Sequence, residues 1–294
     1  MEKTKAQPVP SPGILEQLLT FVPFLVSILL LVFYAKEHLF AEILYPIGDE
    51  AADMLHANQL GENGYLLTGQ YSLFSFHHPG PFFFYIAGFF ERIFSAIIPT
   101  RHGQWVLSIL FLNSVFLGIS GHLFFNKPSD SNTRKTLKRV VFIILTLLFL
   151  ETYAISIWPP HKLILPYLAF LTTLPLIAKR KFKYIPLSIT LACLLIHGRV
   201  DQPLFTLPFI LLAYLWGRKA NQSSLNISEK KSVFYGLAIG LFFSTPIWID
   251  LILNSPSNLG QITNLISRGP SGNNSWSEAT KFILHYWQEP FGIG

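Results

Sequence analysis

Cysteine and charge are both scarce in this chain. Cys193 is the one cysteine among 294 residues, so an intramolecular disulfide framework and a cysteine-based metal centre are excluded. Charged residues make up 13% of the sequence, against roughly a quarter in a soluble domain. No His-Glu-x-x-His segment supplies the tight ligand spacing of a helical zinc site. No internal repeat is visible, which counts against a transporter built from inverted halves. No small-residue cleavage site follows the first apolar stretch, whose next residues are Ala35, Lys36, Glu37 and His38. That stretch therefore reads as an uncleaved first span and not as a signal peptide.

Apolar and aromatic residues take the place of the missing charge. The chain is 51% hydrophobic and carries 27 Phe and 6 Trp. Apolar runs at 18–34, 104–125, 138–157, 161–178, 184–197, 203–217 and 232–253 approach the ~20 residues that cross a ~30 Å hydrocarbon core. The expectation is an all-α, polytopic transmembrane helical bundle of about seven spans.

The segment 81–98 is also apolar but contains Glu91 and Arg92. If it does not span, Lys127, Arg134, Lys135, Lys138 and Arg139 share one side with the clusters at 179–183, 218–219 and 230–231. Fifteen of the 22 Lys/Arg then lie inside with the N-terminus, as the positive-inside rule prefers. This threading makes 81–98 an interfacial helix with its aromatics buried and Glu91 and Arg92 facing water. It leaves 36–103 as a long extracytoplasmic first loop in an inner membrane protein. The basic net charge of +6 is explained by this distribution, so no nucleic-acid partner is expected. Twelve of the 16 acids fall on or near the outer side, a bias that points to an extracytoplasmic polar site. The module is expected to cover 1–253, with 254–294 an extracytoplasmic polar tail that starts a further C-terminal region.

Two stretches of the first loop carry the chemistry. In "IGDEAADMLHANQL", Asp49, Asp53 and His56 share one helical face. Asp49 either caps that helix or works as a catalytic carboxylate, with Glu50 in the first turn suited to the helix dipole. In "YSLFSFHHPGPFFFY", Pro-Gly makes a turn and Pro81 suits the start of a helix. His77 and His78 are then either turn residues or ligands, binding a divalent ion with Asp49 or Asp53, or a phosphate when protonated. Short outer turns add His161, Lys162 and Arg199, and the last span ends at Asp250. Lys162 and Arg199 snorkel, act as counter-ions (Arg199 to Asp201), or neutralise a lipid phosphate. Trp158 reads as an interfacial anchor, Asp250 as helix-end polarity or a site residue, and Cys193 as inert core.

These features, taken in order, resemble the polytopic GT-C glycosyltransferases, a class that includes protein O-mannosyltransferase-like and aminoarabinose-transferase-like enzymes. The likeness is an acidic "DE" opening a helix of the first outer loop, followed by "HPG" before an aromatic helix. It is closer to bacterial membrane proteins with "GPYSRFGWNHPGP"-type segments, whose counterpart here is "TGQYSLFSFHHPGPFFFY". Their "WNPY" and "P..ID....P.N" segments match "WPPH" at Trp158–His161 and "PIWIDLILNSPSN" at Pro246–Asn258. The resemblance implies transfer of a sugar from a polyprenyl-phosphate donor to an extracytoplasmic glycan, lipid or protein acceptor. It implies Asp49 as general base, with Glu50 beside it and Asp53 further along. His77 and His78 fall in the region associated with donor or metal, so a divalent cation such as Mg or Mn is a possible cofactor. Inversion is expected, because retention needs a second carboxylate nucleophile close by. A non-catalytic membrane protein of envelope assembly, whether a flippase, an accessory subunit or a truncated relative, is the competing reading.

Overall fold

Four positions of the first helix, Ser27, Leu31, Ala35 and Leu39, recur every fourth residue, and each is 0–1% exposed. Such a stripe buries one side of a helix and leaves the other apolar side outward. In the computed structural model this helix is α1, Ile14–Phe40, which packs against α4 (Arg101–Phe124) and α5 (Asn132–Ile155). The structure describes residues 14–41, 48–71, 77–126, 130–199, 201–219, 224–254 and the single positions 257, 260, 261 and 263. Asn258, the segment 72–76 and nearly all of the 254–294 tail lie outside the described residues.

The described chain is all-α apart from one short ribbon. After α1 come α2 (Gly48–Asn63), strands β1 (Thr68–Tyr71) and β2 (His77–Pro79), and α3 (Phe82–Phe94). Beyond α5 lie the single turn α6 (Pro159–Lys162), α7 (Ile164–Ala178), α8 (Ile185–Gly198), α9 (Pro203–Lys219) and α10 (Ile227–Leu253). Helix α7 packs on α4, α8 and α9, and α8 carries α10. Among the described residues four helical segments are long and apolar enough to cross a membrane: Phe21–Phe40, Arg101–Phe124, Pro160–Ala178 and Ile227–Leu253. Their outward surface suits lipid, with Leu29 68%, Phe242 74% and Ile252 80% exposed. These helices are compatible with integration into a membrane.

Helix α3 has 13 residues, about 20 Å at 1.5 Å per residue, and is too short to cross a ~30 Å core. It buries Phe83, Phe84, Ala87 and Phe90 and exposes Tyr85, Phe89 and Ile93. Arg92 is exposed as expected. Glu91 departs from the expectation of a water-facing acid, because its Oε1 accepts from Arg101 Nε and Trp105 Nε1. The pairing follows from α4 starting beside α3, where the Thr100 hydroxyl caps it by accepting from the Gly103 N–H.

The ribbon was not expected, since Pro-Gly-Pro reads as a turn opening a helix. His77–Pro79 is instead a strand, antiparallel to β1 with Thr68 opposite Pro79, Tyr71 opposite His77 and an irregular register between. The turn is confined to Gly80, at φ +86°, where a residue with a side chain is strained. Tyr85 ties α3 to the chain before the ribbon, its hydroxyl bonding both the N–H and the C=O of Leu66.

Candidate functional site

The sequence places its polar groups on five separate elements, and the fold brings them to one end of the bundle. Helix α2 carries Asp49 and Glu50 in its first turn, where the helix dipole favours negative charge. Asp53, one turn later, is only 3% exposed. Lys162, at the end of α6, is also buried at 4% and does not snorkel. Its Nζ lies 4.7 Å from the centroid of the Phe83 ring, and Asp53 and Glu50 are the charges that act on it. A buried ammonium persists only with such compensation. The carboxyl of Glu50 is shifted above the usual carboxylate range, first by burial and then by Asp53, with Lys162 opposing.

Arg199 follows α8 and its Nε contacts Asp201 Oδ1 at 3.1 Å, so the counter-ion reading describes one of its contacts. Gln202, beside it, donates to the same Asp201 oxygen at 3.2 Å and accepts from the Tyr167 hydroxyl. This bracing holds the turn after α8. The charge of Arg199 also reaches His78. Burial, followed by Arg199, Lys162 and His77, pushes the His78 imidazole down to about 3. His78 is therefore neutral at pH 7 and would meet a phosphate through one ring N–H, without a formal charge. Its electrostatic neighbours, Lys162 at the end of α6 and Arg199 after α8, bring cations from two separate turns to bear on one imidazole.

His77 donates from Nδ1 to the Gly69 carbonyl at 3.0 Å and stacks on His56, ring centroids 4.3 Å apart. His56 Nε2 lies 3.3 Å from the Thr68 hydroxyl. Burial lowers both imidazoles. Next to burial, His77 lowers His56, which reaches about 4, while the Gly69 bond and Asp250 partly support a charge on His77. Asp250, in the last turn of α10, is 5% exposed and accepts from Asn254 Nδ2 at 2.8 Å. His161 has its Nδ1 bonded to the Ser156 hydroxyl at 3.0 Å and its ring edge-on to Tyr153 and Trp158. The indole N–H of Trp158 donates to Asp49 Oδ2 at 3.1 Å, in place of the headgroup contact expected of an anchor.

Asp49, Asp53, His77 and His78 do not assemble as a metal-binding set. Among the described residues no three His, Cys, Asp or Glu side chains are placed to share an ion.

Sequence reasoning passed over three groups. His102 at the start of α4 is 6% exposed, and its Nδ1 lies 3.7 Å from Glu50 Oε2. His197 near the end of α8 bonds the Phe243 carbonyl through Nε2 at 2.8 Å. Trp158 reads from sequence as an anchor and as the first residue of "WPPH", without a polar partner. Their partners lie 52, 46 and 109 residues away in the chain, beyond the reach of any local spacing rule. No family model, curated protein or solved structure matches this chain.

Proposed function

We propose that the chain is a polytopic membrane glycosyltransferase of the GT-C type that moves a sugar from a polyprenyl-phosphate donor to an extracytoplasmic acceptor. In this reading about seven helices span, the N-terminus is cytoplasmic, and 36–103 forms the outer active-site loop. The observation that supports it is the presence of two opposite requirements on neighbouring residues of α2 and α6. A carboxylate at a helix start is held by a neighbouring N–H, and two cations from separate turns converge electrostatically on His78.

Glycosyl transfer needs both. The acceptor oxygen attacks the anomeric carbon, and its proton passes to the Asp49 carboxylate. As the new C–O bond forms, the bond from that carbon to the phosphate oxygen breaks. The prenyl phosphate leaves with the electron pair, and Lys162 and Arg199 meet its charge. Neutral His78 donates one hydrogen bond to the same phosphate. The proton on Asp49 returns to solvent. One displacement from the face opposite the leaving group inverts the anomeric centre. Glu50 and Asp53 set the charge around Lys162, and Asp250 orients His77. His161 bounds the Trp158 side of the site.

Membranes containing the wild-type chain or Asp49→Asn, assayed with radiolabelled polyprenyl-phosphate sugars, test this reading. Transfer in the wild type with loss of at least ~100-fold in the variant is expected for a general base. Equal transfer by both excludes Asp49 as the base, and wild-type membranes without transfer favour a non-catalytic role.

A further inference from the structure

This inference rests on the reading of Asp49 as the proton-accepting carboxylate. We infer that Trp158 is the positioning residue for that carboxylate. Its indole N–H fixes Asp49 through one oxygen, leaving the other to receive the acceptor's proton. The contact, Nε1 to Oδ2 at 3.1 Å, joins the first turn of α2 to the start of α6 across 109 residues.

The indole is itself held from several sides. Trp158 has an extended backbone (φ −61°, ψ 136°) before the α6 turn, and its own N–H donates to Ser156 Oγ at 3.2 Å. The same Ser156 oxygen bonds His161 Nδ1 at 3.0 Å. The His161 ring stands edge-on to Trp158 with centroids 4.7 Å apart, and Tyr153 closes on its other side at 4.6 Å. Upstream, the buried Asn113 of α4 donates to the Ala154 carbonyl at 2.7 Å, fixing the end of α5 from which this segment departs. Such a chain of bonds and ring contacts does little for a membrane anchor, which keeps its N–H for water or headgroups. It suits a donor that must hold a catalytic carboxylate in one orientation, since small misplacements of a reacting group cost large factors in rate.

The test uses the full chain in bilayer nanodiscs, with 3-benzothienylalanine installed at position 158 to keep the bicyclic ring and replace N–H by sulfur. The companion variants are Trp158→Phe and Asp49→Leu. The indole N–H bond is read by ultraviolet resonance Raman, with Trp158 isolated by subtracting the Trp158→Phe spectrum. The expected result is a hydrogen-bonded N–H band that shifts in Asp49→Leu. With radiolabelled polyprenyl-phosphate sugars, the benzothienyl protein should lose roughly tenfold in kcat, the size of one charge-assisted hydrogen bond. Donor KM should stay within about twofold, because positioning acts on the chemical step. A Raman band unchanged by Asp49→Leu overturns the proposal, as does wild-type kcat in the benzothienyl protein. A shifted band in a wild-type protein that transfers no sugar overturns the transferase reading and leaves the contact standing.

Discussion

The imidazole of His197 occupies the space that a side chain at residue 80 would need. A Cβ built on Gly80 would stand 2.2 Å from His197 Nδ1, and Gly80 has φ +86°. His197 Nε2 donates to Phe243, so Nδ1 carries the lone pair and has no hydrogen-bond partner among the described residues. The His77–Gly80 segment is thus pressed against the end of α8, and a Cβ built on Gly69 of the paired strand would also meet the His197 carbonyl at 3.1 Å. Gly80→Ala should destabilise the protein by at least about 2 kcal/mol, combining left-handed strain with overlap. Thermal unfolding in detergent measures this, and adding His197→Ala should recover part of the loss, leaving only the backbone contribution.

Low pH should weaken the fold through His78 and His56, whose folded-state values lie near 3 and 4, below the ordinary 6.5. The unfolded chain binds more protons between those values and 6.5. Their contribution is therefore intact above about pH 6.5 and shrinks as pH falls toward 4, by up to about 1.4 kcal/mol per pH unit for the buried His78 and by less for the partly exposed His56, which water screens. Glu50 acts in the opposite sense, since its raised value favours the folded state below that value. The comparison of wild type with His78→Asn isolates the effect. Melting temperatures of the variant should fall less steeply from pH 7 to pH 4.5, and parallel curves would remove His78 from the account.

Lys162 and Arg199 should separate when each loses its charge. Lys162→Met leaves Asp53 and Glu50 without a buried cation and should cost about 3 kcal/mol or more. Adding Asp53→Asn should restore much of that stability. Arg199 lies at a half-buried turn with Asp201, so Arg199→Gln should leave melting nearly unchanged. Its expected effect is a donor KM raised roughly tenfold, from one lost charge-assisted contact to phosphate. Calorimetry and donor titration of the two variants check both halves.

The long helices were legible because membrane-scale hydrophobicity is a one-dimensional signal. The run 104–125 and α4, Arg101–Phe124, agree to within a few residues. The interfacial reading of 81–98 did not anticipate that α3 ends at Phe94, nor that Glu91 is bonded by Arg101 and Trp105 of α4. Strand β2 was illegible because a three-residue strand with proline at its end has no period to read, and its pairing with β1 is set in space. The site was legible as a set of residue types near one end. Its wiring was not: Trp158 to Asp49, His102 near Glu50 and His197 over Gly80 all join distant elements. Sequence spacing also supplied no reason to expect His78 to be neutral, because that follows from burial beside two cations.

The orientation can be checked with single cysteines in a Cys193→Ser background. Arg92→Cys on the exposed face of α3 should react with a membrane-impermeant maleimide in intact cells. Lys181→Cys, between α7 and α8, should react only after permeabilisation. The reverse pattern would invert the bundle and place Asp49 on the cytoplasmic side.

Transfer of labelled sugar from polyprenyl phosphate by membranes carrying wild type or Asp49→Asn tests the account most directly. It predicts acceptor labelling by the wild type and a loss of at least ~100-fold in the variant with unchanged protein level and melting temperature. Equal labelling by the two proteins would contradict it.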